Sequence, residues 1–183
     1  MAKSSKNGFQ LQFAPAHIKQ LAARYVYEDD TEALQAGRRI AAGDHCRANI
    51  EAIFRWKTGG RGISRLRRNS DVEIRDALRL AANAETERAA ISVLCGLSGV
   101  EIPVASAILT AIDPERYTII DFRALEALGV KSTWHTVDSY LAYLTACRDL
   151  ARQNAISLRE LDRALWQWSK EQPAPASAAA EIP

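Results

Sequence analysis

A chain of 183 residues can enclose one good core, or two small lobes sharing a cleft, but not two large independent domains. Its 24 basic and 22 acidic residues give a net charge of only +2, which singles out no class of partner, and no apolar run approaches the length of a membrane span. Three isolated cysteines, an odd number without a CxxC pair, argue against a disulfide framework and a cysteine-rich metal site.

Helix signals dominate from the start. The polar residues 1–8 carry no export signal, so a cytoplasmic location and a flexible N-terminus are expected. Pro15 suits a first turn, followed by Ile18, Leu21 and Tyr25 at helical spacing. Asp30 or Thr31 can cap a second helix ending at Gly43, and Asp44 a third with Ile50, Ile53 and Phe54 on its apolar face. Thr58, Gly59 and Gly60 stop that helix before a basic loop. Asn69, Ser70 and Asp71 form a cap cluster for a helix through Ile74, Leu78 and Ala81. A further helix over residues 85–95 runs into Gly96, and Pro103 starts the next, which Asp113-Pro114 ends.

Residues 117–120 read as a short extended apolar piece, with Asp121 at the N-cap of a helix that Gly129 closes. A long amphipathic helix spans about 137–153, and Ser157 with Glu160 forms a capping box for the last one. On that helix Trp166 and Trp168 read as packing residues. The tail from Glu171, rich in alanine and proline, has nothing to bury and is expected to be disordered. Cys46, Cys95 and Cys147 lie in apolar helical patterns and read as small buried hydrophobes; His17, His45 and His135 show no metal-ligand spacing.

Charge is unevenly distributed. No acidic residue occurs between Ala52 and Ser70, where Arg55, Lys57, Arg61, Arg65, Arg67 and Arg68 all fall. Such a cluster suits a phosphate backbone, and equally a solvated basic face. Lys57, Arg61 and Arg65 are the candidates for phosphate contact. Beyond it, Leu97-Ser98-Gly99-Val100 joins two helices in a tight hairpin. A glycine there lets backbone approach a ligand, and the first amides of the outgoing helix attract an anion. Taken alone, the turn also reads as an ordinary connection between packed helices.

With Asp121 added, this segment resembles the helix-hairpin-helix base-excision DNA glycosylases, the endonuclease III-like superfamily. The general motif Leu-x-Gly-Val-Gly-x-Lys-Thr-Ala, a helix, and an apolar run ending in Val-Asp is matched by Leu97, Gly99, Val100 and Ala105, then Ile119-Ile120-Asp121. The motif covers roughly a fifth of the chain. The resemblance implies an all-α fold of two helical lobes around a cleft, occupying residues 9–170 with the helix-hairpin-helix at about 85–112. It implies DNA binding through Leu97, Gly99, Val100, Glu101 and Ile102, and places the essential aspartate on Asp121. Glu101 replaces the second hairpin glycine and sets a carboxylate near the expected phosphate. Pro103 replaces the Schiff-base lysine, so a monofunctional enzyme without lyase chemistry from that position is implied.

The implied partner is double-stranded DNA carrying a damaged or modified base, bound by a monomer at no membrane, in the cytoplasm with the nucleoid. Repair and defence against modified phage DNA both fit. No cofactor or metal is implied, although a monovalent cation at the hairpin is compatible. Extrusion of the nucleotide calls for aromatic faces and a few polar groups; Trp56, Tyr117, Phe122 and Trp134 are candidates by type and position, and equally candidates for the core. Glu51, one to two turns before Trp56 and Lys57, can enter the cleft or stay on the surface. Two rivals stand beside the enzyme: a catalytically inactive helix-hairpin-helix DNA-binding module, and a helical interaction protein without nucleic acid.

Overall fold

The computed structural model describes residues 8–25, 29–130 and 136–173, which are all-α, with no strand among them. After a 3-10 turn at Pro15–His17 come α1 (Ile18–Ala23), α2 (Thr31–Ala41), α3 (Arg47–Thr58), α4 (Ile63–Leu66) and α5 (Asp71–Ala82). The order continues with α6 (Glu87–Cys95), α7 (Ile102–Ile112), α8 (Phe122–Ala127), α9 (Val137–Gln153) and α10 (Leu158–Glu171). None of these is long and apolar enough to cross a membrane.

Local chemistry explains most helix starts. Ser70 and Glu73 form a reciprocal capping box on α5, Ser157 and Glu160 another on α10. Thr136 and Ser139 form a third on α9, which the sequence pattern did not single out. Two expected caps differ. Asp44 does not cap α3; its Oδ1 accepts from the Cys46 amide at 3.3 Å, and the helix begins at Arg47. Asp30 stands before α2 without a capping bond, because its carboxylate is taken by Arg159 and Arg163; the Thr31 amide donates to Asp29 Oδ1 instead. The basic loop holds the short α4, which no periodicity announced.

Helix α7 is the centre of the fold. Nine of its eleven residues are buried, leaving no polar face to show to water. It packs on α2, α3 and α6, while α10 packs on α1, α8 and α9. The α2–α7 crossing depends on Gly37, where an added Cβ would lie 1.9 Å from the Ala111 carbonyl oxygen. Only a residue without a side chain lets the two backbones approach so closely. The core that results is one contiguous cluster reaching from Ile18 to Leu165. Each leucine or isoleucine buried in it contributes about 1.5–3 kcal/mol.

Of the cysteines, Cys147 is buried, Cys95 half-buried and Cys46 exposed at the head of α3, so the expectation of burial fails for Cys46. Glu171 is not tail but the last residue of α10, and it receives a two-pronged contact from Arg24. The expectations for residues 1–7 and 174–183, and for Trp134 and His135, lie outside the described residues.

Candidate functional site

Asp121 is held in place from behind. Residues 117–120 run through the interior without helix or strand, where an unpaired carbonyl would be costly. Tyr140 and Tyr143 of α9 donate their hydroxyls to the Thr118 and Ile119 carbonyls at 3.3 and 2.7 Å, and the Ile120 amide donates to Ser106 Oγ of α7 at 3.2 Å. Burial pushes both phenols above their usual range, so they remain donors. The chain then turns at Asp121, whose Oδ1 accepts from the Ala124 amide at 3.0 Å and caps α8.

The other carboxylate oxygen meets Lys57. Its Nζ, near the end of α3, lies 2.8 Å from Asp121 Oδ2, with the two side chains only 14% and 19% exposed. Burial pushes the Asp121 carboxyl up, but the Lys57 ammonium and the amides of Ala124 and Arg123 outweigh it and hold the group below the usual carboxylate range. Asp121 is therefore an anion at neutral pH. Lys57, expected to contact phosphate, is brought to the aspartate instead.

Both residues line a cavity of about 500 Å³. Its aromatic walls are Tyr25, Trp56, Phe122 and Trp166; its remaining polar lining is Arg61, Arg123, Asp162 and Lys170. Phe122 is 61% exposed, an unusual position for so large an apolar group. Trp56 and Phe122 were legible as candidates. Trp166 was not: it lines the cavity rather than merely packing α10, whereas Trp168 does pack, stacked on Phe13 at 5.8 Å.

Asp162, missed by the sequence reading, is a second carboxylate in this wall. It is buried, paired with Arg159, which also holds Asp30. Burial pushes the Asp162 carboxyl up; Arg159 offsets part of this, and the charge of Asp121 adds to it. One cavity thus contains two aspartates, one paired with Lys57 and the other with Arg159. The signal in the sequence was an acid on the apolar face of α10, between Leu161 and Leu165.

The α6–α7 turn and the basic segment form one unit. Asn69 accepts from the Ser98 amide at 2.9 Å and donates to the Ser98 carbonyl at 3.1 Å. Gly99 has φ +82°, and an added Cβ would lie 2.9 Å from the Leu66 amide nitrogen of α4. The side chains of Leu97, Val100 and Ile102 are buried, so they anchor the turn in the core. Glu101 is exposed and sits 4.0 Å from Arg65, which draws its charge toward the basic loop. Among the described residues Arg61 and Arg68 form no ion pair, while Arg55 and Arg67 both bind Glu51.

Two candidates are not brought to Asp121. Glu51 is buried between Arg55 and Arg67 and faces a separate, larger cavity of about 680 Å³ beside Asp71 and Arg75. The larger space holds Asp44, Glu51 and Asp71 but no Phe, Tyr or Trp wall. Tyr117 is buried in the core and does not line the Asp121 cavity. Among the described residues no group of three or more His, Cys, Asp or Glu side chains could hold a metal ion. Compared with known proteins, no family model, no curated protein and no solved structure matches the chain.

Proposed function

We propose that the chain is a monofunctional DNA glycosylase that extrudes a damaged or modified nucleotide and hydrolyses its glycosidic bond at Asp121, in repair or in defence against modified phage DNA. The observation that carries this reading is the ionised Asp121, capping α8 and facing an aromatic-walled cavity of about 500 Å³. A base inside a duplex is out of reach, so an enzyme acting at the sugar must take it out of the stack. The cavity walls supply the faces for it.

The chemistry follows from charge. As the bond to the base lengthens, positive charge develops on the sugar, and a fixed carboxylate in a poorly solvated site stabilises it. Asp121 is preorganised by the Ala124 amide and by Lys57, so little reorganisation accompanies the step. The same carboxylate orients and deprotonates the attacking water. Pro103, near the start of α7, offers no amine, which fits hydrolysis rather than lyase chemistry from that position. Arg61, Arg65 and the backbone of the α6–α7 turn serve the DNA backbone.

The test is base release from duplexes bearing damaged or modified bases, with Asp121→Asn beside wild type. Release by wild type alone, leaving uncut abasic sites, is expected. A second reading is favoured by the Lys57–Asp121 contact itself, which a binding module without catalysis would retain as a structural ion pair. Steep salt dependence of DNA binding with no release from any duplex would select it.

A further inference from the structure

We infer that the Asp121 cavity selects neutral bases that depart as anions, such as uracil-type pyrimidines and oxidised or deaminated purines, and rejects cationic ring-alkylated bases. The inference rests on the glycosylase reading above. Two observations carry it.

The first is the charge of the lining. Lys57, Arg61, Arg123 and Lys170 face the cavity against two carboxylates, Asp121 and Asp162. The excess of cations stabilises negative charge gathering on the departing base and opposes entry of a positive one.

The second is the state of the aromatic walls. A cationic base is commonly held over ring faces, but here every ring already carries a cation. Arg123 lies 4.9 Å from the Phe122 ring centre and 5.2 Å from that of Trp166, which Lys170 also approaches at 5.6 Å. Arg159 lies 5.7 Å from Tyr25 and 5.6 Å from Trp56. A second cation brought against any of these rings is repelled by the one already beside it. A neutral, electron-poor ring does not.

In the step itself the C1′–N bond breaks and its electron pair stays with the base. The water oxygen bonds to C1′, one water proton passes to Asp121, and the base anion recovers that proton, so one water is divided between sugar and base.

The test is single-turnover base release from duplexes of one sequence containing uracil, 5-hydroxymethyluracil, hypoxanthine, 8-oxoguanine, N7-methylguanine or 3-methyladenine. At least one neutral base is expected to be released faster than either methylated base, by on the order of tenfold or more. The exposed Lys170→Glu is expected to shift the ratio toward the methylated bases. Faster release of the methylated bases by wild type overturns the selection and leaves the glycosylase reading standing. Release from none of the duplexes overturns both.

Discussion

Lys57 Nζ and Asp121 Oδ2 lie 2.8 Å apart although 64 residues separate them in the chain. The contact joins the end of α3 to the start of α8 across the candidate site. Against the effect of burial, it helps the Ala124 and Arg123 amides hold the carboxyl below its usual range, and it commits a lysine that would otherwise belong to the basic surface.

Replacing Lys57 with methionine leaves Asp121 poorly solvated and without its cation. The loss is expected to be about 2–3 kcal/mol at neutral pH, read by denaturant unfolding. The pH dependence has a definite sign. Since the folded carboxyl is depressed, its stabilisation is present above the unfolded value of about 3.9 and fades as pH falls through the lower folded value. Wild-type base release should therefore persist to acidic pH, and the acid limb of its pH profile should move upward in Lys57→Met. An unmoved limb would show that Lys57 does not control Asp121.

Gly99→Ala places a Cβ 2.9 Å from the Leu66 amide nitrogen at a φ of +82°. Backbone strain and collision together are expected to cost about 1–3 kcal/mol in thermal unfolding. The turn must also move away from α4, so DNA affinity should fall more than stability at assay temperature explains. Unchanged affinity would separate the turn from DNA binding.

Phe122→Ala removes a ring that is 61% exposed. Stability should change by less than about 0.5 kcal/mol, as for other surface positions. If the ring stacks on an extruded or neighbouring base, binding weakens by about 1–3 kcal/mol. A titration with abasic-analogue DNA reads this; equal affinities would make Phe122 an idle surface residue.

Arg61 and Arg68 carry charges that no acidic group among the described residues neutralises. The double replacement by glutamine should reduce the slope of log affinity against log salt by about 0.9 for each phosphate that is no longer neutralised. An unaltered slope would place the DNA path elsewhere.

Several helix boundaries were legible because their causes are local: at Ser70–Glu73 and Ser157–Glu160 a serine three residues before a glutamate closes a capping box within a single turn. The cap that Asp121 places on α8 was legible for the same reason, since it involves only the next three residues; its candidacy as a site residue came from the resemblance of residues 97–121 to a family motif. The partner of Asp121 was not legible. Lys57 sits in a run of cations whose simplest reading is a shared basic face, and nothing in the run marks the one that folds inward. Asp30 and Asp44 show the converse failure, in which distant arginines or a nearer amide claim an oxygen that a local rule assigns to a cap. Glu51 had the right proximity along α3 and the wrong face, and Trp166 lay one residue from the packing stripe that holds Leu165. Such assignments depend on how helices rotate against each other, which tertiary packing decides.

Whether Asp121 breaks a glycosidic bond is decided by base release from Asp121→Asn beside wild type. Asparagine keeps an oxygen to cap α8 and removes the charge, so the fold should persist and DNA should still bind. Wild type should release the base and leave uncut abasic sites, and release should fall at least about a hundredfold in the variant. Equal release by both proteins would contradict this role for Asp121.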